Sequence, residues 1–165
     1  MILDLKQLFV NEGSVLPVEY QMDMSQVDYS GDFPLKSPVK IKGAISNRAS
    51  VVELDLTVSY VFSSDCHRCG TYAEHPHSIA VKKLLAVSVE SEENDTIITV
   101  PDMKLDLDEL IFGEVYISLP TKHLCKDDCK GICSKCGKNL NEGACGCSEK
   151  EIDPRLQKLA DLLKN

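Results

Sequence analysis

The sequence predicts an α+β protein: an antiparallel β-sheet core with a few short helices and a zinc-stapled C-terminal segment. Three observations predict it. Val52, Leu54, Leu56, Val58, Tyr60 and Phe62 alternate without a break against Glu53, Asp55, Thr57 and Ser59, the period of a strand with one buried face. Apolar residues at helical spacing occupy two short stretches, 106–118 and 153–163. Six of the eight cysteines crowd into "LCKDDCKGICSKCGKNLNEGACGC" (124–147), and from Cys125 to Cys147 the large apolar residues are Ile132 and Leu140, too few to hold the segment without metal.

A chain of 165 residues with 43% apolar and 27% charged residues has the size and composition of one globular domain with a small appendage. No Trp and 5% aromatics make the core aliphatic. The chain divides into a β-rich core domain, 1–120, and a cysteine-rich zinc-binding segment, 121–165, whose terminal helix packs on the core.

The elements follow in order. "DLKQLF" (4–9), closed by Gly13, suits one or two helical turns capped by Asp4, with a short strand as rival. "SVLPVEYQMDM" (14–24) reads as a strand and the turn-rich 25–38 as a loop. Val39, Ile41, Gly43 and Ile45 alternate against Lys40, Lys42 and Ala44, so 39–45 and 51–62, joined by the turn "NRAS", form an antiparallel hairpin. "HSIAVKKLLAVSVE" (77–90) favours a strand, although Lys83 breaks the alternation and a helical reading survives. "SEENDT" (91–96) is a solvated acidic turn, and "TIITV" (96–100) is a short β run ended by Pro101. In 106–118, Leu107, Leu110, Ile111, Val115 and Ser118 share a helix face, acids fill the first turn, and Pro120 stops the helix. Asp153 as N-cap, Pro154 at N1 and Leu156, Leu159, Leu162 and Leu163 on one face give a closing helix.

The N-terminus lacks a basic n-region and the longest apolar run is "LLAV" (84–87), so neither a signal peptide nor a membrane span is expected. The expected compartment is the cytoplasm, where paired cysteines serve as metal ligands rather than disulfides. The net charge of −8, made more negative by eight thiolates around two Zn²⁺, argues against binding nucleic acid by global charge.

Cys66–Cys69 and Cys133–Cys136 are both C-x-x-C-G. In such a knuckle the first thiolate opens a tight turn, backbone N–H groups point at sulfur, and the glycine supplies a positive φ. Each knuckle is half of a tetrahedral zinc site. Cys145 and Cys147 lie eight residues beyond the second knuckle and complete it locally, which leaves Cys66 and Cys69 to meet Cys125 and Cys129 across the fold. A single site within 125–147 with spare thiols, a two-metal cluster sharing thiolates, and His123 replacing Cys125 or Cys129 stay open. Lys122, Lys126, Lys130, Lys135 and Lys138 lie among the ligands, where they offset the charge of the zinc–thiolate centres or face RNA phosphates. A zinc saturated by four thiolates has no open position for water, and no Ser/His/Asp order, phosphate loop or paired-acid signature is present, so no enzyme is expected.

The order "LDEL", "YISLP", "LCKDDCKGICSKCGKNLN", "CGC" and "DPRLQKL", with the upstream Cys66, Arg68 and Cys69, resembles the zinc-carrying branch of the YceD family, the large ribosomal RNA subunit accumulation proteins. The resemblance covers the C-terminal two thirds of the chain. Gly70 stands where the family often has an apolar residue. The resemblance implies a cytoplasmic bacterial factor for accumulation of large-subunit ribosomal RNA, hence ribosome biogenesis, with precursor large-subunit RNA or a large-subunit ribosomal protein as partner. It brings no catalytic residue. A thiol-based redox-regulated protein and a zinc-stapled protein-interaction module are the competing readings. The redox one loses ground because neither C-x-x-C opens a helix and both precede glycine.

Overall fold

The unbroken alternation of residues 52–62 belongs to the central strand of a sheet whose inner face is the core. The computed structural model describes residues 1–88 and 95–147. In chain order these form β1 (Ile2–Asp4), α1 (Lys6–Val10), β2 (Val15–Met22), β3 (Val39–Arg48), β4 (Val51–Asp65), β5 (Tyr72–Ala86), β6 (Ile97–Thr99), β7 (Lys104–Asp106) and α2 (Leu107–Ser118). One five-stranded sheet has the order β2-β3-β4-β5-β6. It is antiparallel from β2 to β5, with β6 parallel to β5. The class is therefore α+β, with a mostly antiparallel sheet. The expected closing helix at 153–163 lies outside the described residues, as do 91–94 of the acidic turn.

Val52, Leu54, Leu56, Val58, Tyr60 and Phe62 of β4 are all buried, joined by Val39, Ile41 and Ile45 of β3 and by Val81 and Leu85 of β5. Leu107, Ile111 and Val115 of α2 close the core from above this face. At its N-terminus Asp106 accepts from the N–H groups of Asp108 and Glu109, an N-cap that satisfies two of the helix's free donors. The C-terminal half of the helix is tied to the sheet by polar contacts. Tyr60 Oη lies 2.9 Å from Ser118 Oγ, and Lys83 Nζ lies 2.7 Å from Glu114 Oε1. Lys83 thus breaks the apolar alternation because it faces α2 and pairs there, while its ammonium also donates to the Asp95 carbonyl.

Several elements differ from their expected bounds, each for a physical reason. The first hairpin extends to Arg48 and Val51, which are register partners, so the turn is only Ala49–Ser50, both at positive φ (50° and 64°). Asn47 belongs to β3 rather than to a turn: it is buried and its Nδ2 donates to the carbonyl of Leu8 in α1. The N-terminal segment is strand and helix in succession, and Asp4 accepts from the Lys6 N–H without being the N-cap, which is Leu5. The loop 25–38 carries Leu35, fully buried in the core, and its Pro34 carbonyl accepts from Ser63 N.

β5 begins at Tyr72 and runs through Pro76. Leu84 N–H reaches the Thr96 carbonyl on the side away from β4, so by strand alternation the even-numbered residues of β5 face that edge. β6 covers it only at Leu84–Ala86, and the missing N–H of Pro76 therefore takes no bond away from the β4 ladder.

Ala and Ser in left-handed conformations at both turn positions cost about 1 kcal/mol each relative to residues that accept positive φ. Ala49→Asn with Ser50→Gly is expected to raise stability by about 2 kcal/mol, seen as a higher urea midpoint at unchanged slope.

Candidate metal centres

β4 and β5 are each 15 residues long, and the six residues between them are the first knuckle. The Cys66 N–H donates to the Thr71 carbonyl, Gly70 N–H donates to the Cys66 carbonyl, and Arg68 N–H points at Cys66 Sγ at 3.4 Å. The second knuckle repeats this pattern bond for bond: Cys133 N–H to the Lys138 carbonyl, Gly137 N–H to the Cys133 carbonyl, Lys135 N–H to Cys133 Sγ at 3.4 Å. Gly70 and Gly137 have φ of 69° and 72°, the backbone that lets each turn close behind its second cysteine.

The eight thiols group as four plus four. Cys66, Cys69, Cys125 and Cys129 have all sulfurs within 4.8 Å of one another, and so have Cys133, Cys136, Cys145 and Cys147. In the first tetrad Cys66 Sγ lies 3.7 Å from Cys129 Sγ and Cys69 Sγ lies 3.6 Å from Cys125 Sγ. A tetrahedron of thiolates at about 2.3 Å from a central ion has edges of about 3.8 Å, so this spacing fits a four-coordinate metal. Each tetrad can hold one ion.

What carries Cys125 and Cys129 to the knuckle is a short stretch after α2. His67 N–H donates to the His123 carbonyl and His123 N–H to His67 Nδ1, a two-way pairing between knuckle and returning chain. The His123 ring is buried against Phe62, with Nε2 3.2 Å from the Ala73 carbonyl. It serves packing and belongs to neither tetrad. Arg68 Nη1 donates to the Cys129 carbonyl at 2.9 Å, so the knuckle's own arginine holds the incoming ligand segment.

Ionisation shows how strained the thiol sets are without a cation. Burial opposes ionisation of Cys66, yet the N–H groups of Cys125, Arg68 and Cys69 outweigh it and bring the thiol down to about 6. The N–H groups of Cys136 and Lys135 bring Cys133 down to about 6. Burial and the neighbouring thiols of Cys69, Cys129 and Cys66 push Cys125 up to about 12. The thiols of Cys136 and Cys145 do the same to Cys147, also to about 12. In the first tetrad the Asn141 side chain lowers Cys129 as well. In each tetrad at least one sulfur is thus prepared as a thiolate and another is held back, the behaviour of like charges crowded together. A divalent ion removes that conflict.

Of the five lysines, all are exposed. Lys126 Nζ is 3.6 Å from Asp128, and Lys138 Nζ donates to the Ala144 carbonyl, bracing the loop that closes the second tetrad. Sequence reasoning missed Asn139 and Asn141. Asn141 Nδ2 lies 3.3 Å from Cys129 Sγ, and Asn139 Nδ2 lies 3.3 Å from Thr71 Oγ1. The available signal was two amides two apart in a loop between ligands, where side-chain donors to sulfur are useful.

Fold and site together define a sheet protein carrying paired four-cysteine centres, the first built into its longest hairpin. The chain belongs to the Large ribosomal RNA subunit accumulation protein YceD family, whose model matches residues 54–163 and so includes all eight cysteines. An uncharacterized protein of Mycobacterium tuberculosis is 32% identical over 111 residues, 65% of this chain and 53% of that protein. The uncharacterized protein YlbN of Bacillus subtilis is 27% identical over 130 residues, 78% of this chain and 76% of that protein. The chloroplastic Large ribosomal RNA subunit accumulation protein YCED homolog 1 of Arabidopsis thaliana is 25% identical over 161 residues, 79% of this chain and 50% of that protein. The chain spans about half the length of the mycobacterial relative. No solved structure matches significantly.

Two measurements check the centres. Ile132 is exposed and Leu140 only half-buried, so no apolar core stabilises 125–147. Removing metal with a strong chelator is therefore expected to abolish amide-exchange protection there while leaving β3 and β4 protected. Equal protection with and without metal would refute it. The second measurement is of affinity against pH. Above about 6, Cys66 and Cys133 already bind metal as thiolates; below it, each must first lose a proton. The slope of log affinity against pH is expected to steepen by about one proton per tetrad below that value.

Proposed function

We propose that this protein is a non-enzymatic factor that supports accumulation of large-subunit ribosomal RNA and thereby ribosome biogenesis. Two structural zinc ions, one in each tetrad, hold its shape. The observation that carries the reading is the family match over residues 54–163, a span that contains both knuckles and both completing pairs. The name of the Arabidopsis relative points to the same process. Zinc is the ion of choice because four cysteine sulfurs at tetrahedral spacing form the donor set of structural zinc sites. Residues 1–120 act as the β-rich core and 121–165 as the zinc-binding segment.

Chemistry on RNA is not part of this reading, since four thiolates leave no position for water on the ion. Recognition is local, because a chain of net charge −8 has no general affinity for polyanions. The partner is precursor large-subunit RNA or a basic large-subunit ribosomal protein. Lys122, Lys126, Lys130, Lys135 and Lys138 are the contact candidates. The place of action is the cytoplasm of a bacterium, and among the described residues no helix is long and apolar enough to cross a membrane. A redox role is disfavoured because each C-x-x-C is a knuckle closed by a positive-φ glycine, with no helix N-terminus to activate a thiolate.

Depleting the protein is expected to lower large-subunit relative to small-subunit RNA, read by quantifying both in total RNA. A normal ratio would discard the biogenesis role. Reversing Lys122, Lys130 and Lys135 to Glu tests the contact surface, because Lys138 has a bracing role of its own. With metal content unchanged, the triple variant should fail to restore the ratio; full restoration would discard these lysines as the contact.

A further inference from the structure

Resting on the reading that each tetrad takes one metal ion, we propose that Asn141 is the positioning residue that couples the two centres, so that loading the second tetrad strengthens metal binding at the first. Asn141 lies in the loop between Gly137 and Ala144 that joins the second knuckle to Cys145 and Cys147. Its side chain nevertheless serves the other centre: Nδ2 donates to Cys129 Sγ at 3.3 Å.

The orientation of that amide is fixed at both ends. Oδ1 accepts from Lys130 N–H at 2.9 Å, and Nδ2 also donates to Asn139 Oδ1 at 2.9 Å. A flipped amide would put oxygen against sulfur and an N–H group against an N–H group, losing all three contacts. The backbone supports the same placement. Leu140 N–H donates to the Gly131 carbonyl at 2.9 Å, and Ile132 bridges Asn139. Asn139 in turn holds Thr71, whose Oγ1 is 3.3 Å from Cys69 Sγ.

On its other side the Cys129 segment meets the first knuckle. Arg68 Nη1 donates to the Cys129 carbonyl, and a Cβ on Gly131 would stand 3.1 Å from the Arg68 carbonyl oxygen. Residues 129–132 are thus clamped between the first knuckle and the closing loop of the second tetrad. That loop has only half-buried Leu140 as an apolar anchor, so its own metal is what holds Asn141 in reach of Cys129. An N–H bond to a thiolate ligand is charge-assisted, and losing such an outer partner lowers metal affinity by about 10–100-fold. Coupling between two binding equilibria is reciprocal, so the first tetrad must strengthen the second by the same factor.

The test is competition for Zn²⁺ between the full chain and a chromogenic chelator, with folding followed by circular dichroism. Cys145→Ser with Cys147→Ser, which removes the second site, is expected to weaken the first tetrad by about 10–100-fold. Asn141→Ala alone should weaken the first tetrad comparably, but within the Cys145/Cys147 background it should add less than about threefold. Cys66→Ser with Cys69→Ser should weaken the second tetrad by the reciprocal factor. Should a variant fail to fold, the wild-type protein loaded with ¹¹³Cd²⁺ decides: an Asn141 side-chain amide proton should show a scalar coupling to the cadmium of the first tetrad. Two ions bound with independent affinities, a full Asn141→Ala effect in the background lacking the second site, or no such scalar coupling would each overturn the inference alone. A wild-type chain that takes up no metal would overturn the metal reading and this inference together.

Discussion

Four thiols whose sulfurs lie within 4.8 Å of one another cannot all ionise unless a cation stands among them. The C-terminal part of the described chain depends on that constraint. It contributes Cys129 to the buried interior but leaves Ile132 more than half exposed, and Leu140 is only half-buried. Hydrophobic burial there is worth little, whereas a divalent ion that converts four mutually repelling donors into ligands fixes four chain positions at once. The two tetrads therefore replace, for residues 125–147, what the sheet and α2 provide for the rest.

The sheet supplies what a metal site alone lacks, a rigid place to stand. Knuckle residues 66–71 are the turn of a hairpin with 14 paired positions along β4 and β5. A turn at the end of so long a ladder has little freedom, and the first two sulfurs are positioned before any metal arrives. The return segment is then guided by contacts that involve no sulfur. Tyr60 and Ser118 set where α2 ends, His123 packs on Phe62 and Ala73, and Arg68 takes the Cys129 carbonyl. The polar contacts run from the core to the ligands in chain order, so a defect in α2 would reach the first centre through residues 119–123.

What could be read in the sequence was whatever is encoded locally. The alternation of 52–62, the N-terminal acids of α2 and the two C-x-x-C-G turns each depend on a few adjacent residues, and each appears in the structure where the spacing put it. Strand pairings over long chain separations were not legible, whereas the meeting of Cys66 and Cys69 with Cys125 and Cys129 followed from assigning Cys145 and Cys147 to the local knuckle. β1 and β7 are three residues each and pair across about a hundred positions, with no periodicity long enough to detect. The strand read from 77 onward in fact starts at Tyr72 and runs through Pro76, whose missing N–H the open edge makes harmless. Lys83 looked like a fault in a strand until Glu114 appeared opposite it. Asn141 carried no signal of its own, because a side-chain donor to sulfur is visible only once the fold brings the loop to Cys129.

Electrostatics links the metal centres to the surface. A four-thiolate site around a divalent ion carries a net charge of about −2, and two such sites make an already acidic protein more so. Lysines near them have first to serve that local charge and the loops around it, as Lys138 does at the Ala144 carbonyl. Only those whose ammonium groups are not tied to the scaffold can offer charge to a partner. The backbone of Lys130 is fixed by Asn141 while its side chain is exposed, so its position is set by the paired centres and its charge faces solvent. Metal occupancy and surface presentation are thus linked through the same residues: a segment held by a metal ion would display its basic side chains at fixed spacing, and one without it would lose that spacing.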